Sequence, residues 1–185
     1  MSCELVLEIP DGDLFDNDKL EFIPVKGCSL RLKHSLYAIS EWESKWKVPF
    51  LEEKPPKTPE QMLDYVKMMT LNKNVDPNVY LLLTTEDWEK IRAYIEDPMT
   101  ATWFNDKDKS RAKKKVVTSE LIYYWMVAQN IPIDICEKWH LNRLLTLIRV
   151  CSIESQPPKK MGKSSIMNQN RMLNEARKAK YHTRG

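Results

Sequence analysis

The chain has 185 residues, 42% of them hydrophobic and 30% charged, with a net charge of +3 at neutral pH, which fits one soluble domain with appendages. No apolar run approaches the roughly 18 residues of a membrane span, and the acidic opening "MSCELVLEIPDGD" lacks the basic and apolar regions of a signal peptide. Four scattered cysteines (Cys3, Cys28, Cys136 and Cys151) without a CxxC are expected to be reduced thiols in a cytosolic protein, two of them on helix faces.

Residues 1–33 read as an N-terminal β element. "CELVLEIP" alternates apolar and polar residues, and "LEFIPVKGCSLRLKHSL" alternates again around Gly27, which predicts two or three antiparallel strands. In the second run Leu30, Leu32 and Leu36 share one face, with Arg31 and Lys33 toward water.

Residues 34–156 read as a helical body. Leu36, Ile39, Trp42 (or Glu43) and Trp46 fall near the 3.6 spacing, and Pro49 ends that helix. Pro55 and Pro56 stiffen a linker. Thr58 then supplies an N-cap, Pro59 the N1 position and Gln61 a capping box, followed by a buried stripe of Met62, Tyr65, Val66 and Met69. After a loop at Pro77, "TTEDWEKIRAYIED" predicts a helix capped by Thr84 or Thr85, with acids in its first turn that suit the macrodipole. Its inward residues are Trp88, Ile91, Ala93 and Ile95. The charged run 105–117, with Lys113, Lys114 and Lys115, reads as a solvated loop. "TSELIYYWMVAQN" is apolar almost all round and is expected to be central to the core, with Trp125 inside it. "DICEKWHLNRLLTLIRVC" opens with the box Asp134…Glu137 and aligns Leu141, Leu144, Leu145, Ile148 and Cys151. The two segments are expected to form a helical hairpin.

Residues 157–185 read as a basic arm. They hold Lys159, Lys160, Lys163, Arg171, Arg177, Lys178, Lys180 and Arg184 against the single acid Glu175, while the first 156 residues carry 21 basic and 25 acidic side chains. A mildly acidic body with a cationic tail points to an interaction arm. Pro157 and Pro158 stop the preceding helix, and Ser164 or Ser165 caps a last one whose thin apolar side (Ile166, Leu173 and Ala176) suits a partner better than a core.

Few residues offer chemistry. Gly162-Lys163-Ser164 ends like a phosphate-binding loop, but Pro157 stands where that loop needs its first glycine, and proline removes a donor from the wrap. His140 with Glu137 is the nearest approach to an acid–base pair, and a structural histidine is the favoured reading. Cys136 and His140 lack further metal ligands. No cofactor and no enzymatic activity are expected. The six tryptophans fit core packing better than base stacking, so nucleic acid is not expected as a partner either.

"HSLYAISEWESKWKVPFL", "MTATWF", "TSELIYYWMVAQNIPIDICEKWHLNRLLTLIRVC", "PPKKMGK" and "NEARKAKYHTRG" resemble a family of small proteins from the tail-gene region of long-tailed bacteriophages, similar to tail assembly chaperones. The resemblance covers most of residues 34–185 and implies a protein of the host cytoplasm. It also implies partners, the tape-measure protein and tail tube subunits; a homo-oligomer is a separate expectation that the resemblance does not carry. The eight cations of the arm are the expected partner-binding residues. A structural protein of the tail or head–tail connector, resident in the virion, is the main alternative, and a small nucleic-acid-binding accessory protein the second. The expected fold is α+β, predominantly helical, with a small N-terminal antiparallel β element, a helical hairpin and the basic arm.

Overall fold

In the computed structural model the described residues are 4–16, 19–102, 104, 116–156 and 163–181. The protein is α+β and predominantly helical, with a small N-terminal antiparallel sheet, a helical body and a C-terminal helix. Two compact units divide it, residues 1–151 and 152–185.

Four short strands, rather than two or three, build the N-terminal element: β1 (Leu5–Ile9), β2 (Gly12–Asp16), β3 (Glu21–Val25) and β4 (Cys28–Leu32). β1 pairs antiparallel with β4, and β2 with β3. The register is unbroken between the two pairs. Ile9 faces Cys28, and three residues further along each arm Gly12 faces Val25. The strands are therefore two arms of one long hairpin, interrupted at Pro10-Asp11 and Lys26-Gly27. Pro10 has no N–H to give to a ladder. Across the break Gly27 N donates to Asp11 Oδ1 at 2.7 Å. A Cβ on Gly27 would lie 2.1 Å from the Ile9 carbonyl oxygen and 2.4 Å from the Pro10 carbonyl carbon, so the approach of the two backbones requires glycine.

The base of the hairpin enters the core through Leu7, Ile9, Leu30 and Leu32. Leu30, Leu32 and Leu36 are all fully buried and Arg31 is exposed, as the alternation predicts. Helix α1 (Leu36–Trp46) follows at once, capped by Ser35, whose side chain accepts from Ala38 N. Its inner face buries Leu36, Ala38, Ile39, Trp42 and Glu43. Helix α2 (Pro59–Met69) opens on the expected capping box, with both the Thr58 and Gln61 side-chain bonds formed, and buries Tyr65, Val66 and Met69. Met62 is only partly buried.

The Pro77 segment is a 3-10 helix (Pro77–Leu82) rather than a plain loop, capped by Asp76. Helix α3 (Thr85–Glu96) takes Thr84 as its cap and buries Ile91 and Tyr94. Tyr94, one turn after Ile91, holds the inward position expected of Ala93, which is exposed.

Helix α4 (Ser119–Ala128) corrects a second expectation. It buries Ser119, Ile122 and Met126, while Tyr124 is 65% and Val127 61% exposed and Trp125 is only partly buried. An apolar helix becomes central only when neighbours cover every side, and α4 packs chiefly along one flank, against α1. The helical hairpin is also broken. A single short turn, α5 (Ile133–Cys136), precedes α6 (Leu141–Glu154), and the N-cap of α5 is Pro132, with no side-chain bond from Asp134. Between them His140 makes an isolated bridge with Ser35, and Leu141 N donates to the His34 carbonyl at 2.9 Å. Backbone groups committed to that strand-like pairing cannot continue a helix. In α6, Leu141, Leu144 and Ile148 are buried, and Leu145 and Cys151 partly so.

One buried carboxylate joins distant parts of this body. Glu43 accepts from Phe50 N at 2.7 Å and from Ser119 N at 2.8 Å, and the Ser119 hydroxyl donates to it as well. It thus anchors the loop after α1 and the first turn of α4, across 76 residues of sequence. Nearby, the Trp42 indole donates to the Gln61 carbonyl at 2.8 Å, and Lys45 pairs with Asp64.

Two substitutions test this architecture. Gly27→Ala forces the hairpin arms apart at the break and should cost at least ~2 kcal/mol, read as a lower urea midpoint. Glu43→Ala strands three donors in the interior and should cost about 3 kcal/mol, whereas Glu43→Gln, which keeps an acceptor, should lose less. A Glu43→Ala variant with the parent's midpoint would show that the carboxylate does not hold the two elements.

Candidate partner-binding surfaces

His140, the histidine that the sequence offers as a base, lies inside the body beside His34. His34 and His140 are 2% and 1% exposed, with ring centroids 5.0 Å apart. His34 Nδ1 is 2.6 Å from the Tyr65 hydroxyl, and the His34 backbone N–H donates to the Tyr94 hydroxyl at 3.3 Å. His140 Nε2 is 3.0 Å from the Tyr94 carbonyl. A carbonyl only accepts, so Nε2 carries the hydrogen, and the buried Nδ1 of the neutral ring has no partner among the described residues. Burial, together with the His140 ring, lowers the His34 pKa to about 3. Burial also lowers that of His140, against the Tyr94 carbonyl and the Asp97 charge, which raise it. Burial pushes the Tyr65 hydroxyl well above its ordinary range, so it keeps its proton and donates to His34 Nδ1.

The pairing of His140 with Glu137 is not made. Glu137 accepts from the Tyr123 hydroxyl at 3.0 Å, and His140 faces Tyr94 and His34. The geometry is that of a packed polar core joining β4, α2, α3 and α6, which is the structural reading of His140. Burial raises the Cys28 and Cys136 thiols, Glu8 and Asp134 adding to it respectively. Among the described residues no group of three His, Cys, Asp or Glu is placed to hold a metal ion.

The cations of the arm gather along α7 (Lys163–Tyr181). Arg171 pairs with Glu175 one turn on at 3.1 Å, and Arg177 and Lys178 are exposed. Arg171 and Lys178, seven residues apart, share one side of the helix. Met167 and Met172 are both 71% exposed and Leu173 49%. Lys163 opens the helix and Lys180 lies near its end, but the placement of their side chains, and Lys159, Lys160 and Arg184 altogether, fall outside the described residues. Trp103 and the run 105–115 fall outside them too.

The body carries a second surface that the sequence reading passed over. A groove of about 920 Å³ runs between α3, the start of α2 and the loop after α1. Its apolar lining includes Leu51, Met62, Trp88 and Ile95. Glu52 and Glu53 stand on one lip and Glu89 and Glu96 on the other, with Lys57 and Arg92 among them. Lys57 lies over the Phe50 ring at 4.8 Å, where burial lowers its pKa, and Arg92 is 4.0 Å from Glu96. A second depression of about 580 Å³ shares Leu51, Glu52 and Glu53 and continues to Val117, Trp125 and Leu145. Met62, Trp88 and Ile95 have the helical spacing of core positions. Among the described residues they are only partly buried and line the groove.

Beyond these surfaces, among the described residues no helix is long and apolar enough to cross a membrane. No family model, no curated protein and no solved structure matches the chain.

The histidine pair gives the fold an acid dependence with a definite sign. Both pKa values are lower in the folded state, so as pH falls the unfolded chain takes up protons first. Stability is full above the ordinary histidine value of 6.5 and is lost between there and about 3. Urea midpoints at pH 7, 5.5 and 4.5 (values chosen as roughly spanning that window) should fall more steeply for the parent than for His34→Gln. Parallel slopes would remove the pair from the acid response.

Proposed function

We propose that the protein is a non-enzymatic morphogenesis factor of long-tailed bacteriophages, a tail assembly chaperone that holds the tape-measure protein and hands it to tail tube subunits. The observation that carries this reading is α7, a helix that presents Arg171, Arg177 and Lys178 together with Met167, Met172 and Leu173 to solvent. Large apolar side chains beside cations on an exposed helix suit the capture of another helix, with charge guiding encounter and apolar contact holding the pair. Tyr124, Val127 and Ile135, each at least 60% exposed, add apolar surface on α4 and α5. A tape-measure protein is a very long, mostly helical chain whose apolar stripes are aggregation-prone until tube subunits enclose them. Reversible cover by such surfaces meets that need. The sequence resemblance over most of residues 34–185 points the same way.

Truncation after Gln156 removes α7 and tests the reading. The shortened protein should keep the thermal midpoint of the parent and lose its ability to keep co-expressed tape-measure protein soluble. In the full chain that binding should weaken as salt rises, because exposed charges are screened over about 8–10 Å at physiological ionic strength. Mass spectrometry of purified virions should find the chain absent. Its presence at stoichiometric level would favour a structural role in the tail or connector, and a truncated chain that still supports tail assembly would remove the arm from the mechanism.

A further inference from the structure

We infer that the acidic-lipped apolar groove beside α3 is a docking site for α7 of a second copy of this chain. The groove offers what a cationic amphipathic helix needs. Its lining of Leu51, Met62, Trp88 and Ile95 is apolar, and its lips carry four carboxylates, Glu52, Glu53, Glu89 and Glu96, against two cations, Lys57 and Arg92. Arg92 is already drawn toward Glu96, and Lys57 is held over Phe50. The excess charge is therefore negative.

The groove follows α3 from Thr85 to Glu96, a rise of about 16 Å or three helical turns. That length takes a helix rather than a compact ligand. Helix α7 has the matching character over 19 residues. It carries five Lys or Arg against one Glu, and its Met172 and Leu173 are exposed. Flexible methionine side chains also adapt well to an irregular apolar surface. Apolar burial would supply the affinity, and the Glu and Arg/Lys side chains around it the orientation and the salt dependence. The inference concerns self-association and stands apart from the identity of any tail partner.

A charge-swap experiment on the full-length chain decides it. One variant reverses the groove (Glu89→Lys with Glu96→Lys) and another reverses the helix (Arg171→Glu, Arg177→Glu and Lys178→Glu). All five side chains are exposed, so both variants should fold, which circular dichroism and the thermal midpoint verify. Sedimentation velocity should show concentration-dependent association of the parent in low salt, its loss in each variant alone, and its return when the two variants are mixed. A parent that stays monomeric at every concentration overturns the inference. Association that survives both reversals overturns it too, since another surface is then responsible. So does a cross-link between Glu89 and Lys178 found only within single chains, which would place α7 in the groove of its own copy.

Discussion

The backbone of residues 31–34 carries the chain from the sheet into the buried body, and its polar groups are paired with distant parts of the chain. Arg31 N donates to the Asn72 side chain, the Arg31 carbonyl accepts from Leu71 N, and Lys33 N donates to the Met69 carbonyl. His34 N donates to the Tyr94 hydroxyl, and the His34 carbonyl accepts from Leu141 N. Those partners come from the end of α2, from α3 and from the start of α6. One short segment thus binds the end of α2 and the start of α6 through backbone groups and α3 through a side chain. The break in the expected helical hairpin follows from it, since His140 and Leu141 are held against Ser35 and His34.

The same demand explains the chemistry of the core. His34, Tyr65, Tyr94 and His140 fill the space around this crossing as a neutral, hydrogen-bonded group. A protonated His140 would present an Nδ1–H to a site without an acceptor among the described residues. Burial therefore favours the neutral form of both rings, aided at His34 by the His140 ring, which converts a packing solution into acid sensitivity. Glu43 does comparable work on α1, where its carboxylate accepts from the backbone of Phe50 and from both donors of Ser119. Polar contacts of this kind are specific in direction, and here they fix where elements meet while apolar burial supplies the bulk of the stabilisation.

Against that interior, the surface is unevenly covered. Tyr124, Val127 and Ile135 lie exposed on α4 and α5, Phe15 and Phe22 meet edge-on near the hairpin tip, and α7 exposes Met167, Met172 and Leu173. Apolar area of this extent outside the core is costly to a protein that acts alone. These exposed side chains, with the acidic-lipped groove and the cations of α7, are the observations that support the proposed binding role.

Local signals in the sequence determined much of the secondary structure. The Thr58–Gln61 capping box, a threonine cap at 84 or 85 (Thr84 in the structure), the end of α1 shortly before Pro49 and the alternation through Leu30 and Leu32 act within a few residues, so they are legible without knowledge of the fold. The cationic character of the arm is equally a property of composition. Tertiary structure alone decided which apolar faces are covered. Trp125 and Ala93 sit on helical stripes as regular as those of Met126 and Ile91, yet Ala93 is exposed and Trp125 packs against the core only partly buried. It also decided that His140 pairs with Ser35 and Tyr94 rather than with Glu137, and that Gly27 lies against Ile9 and Pro10. Those contacts join residues 17 to 105 positions apart in the chain for Gly27 with Pro10 and His140 with Ser35 respectively. Periodicity reports the surface a segment can offer, and only packing among distant segments selects the surface that is buried.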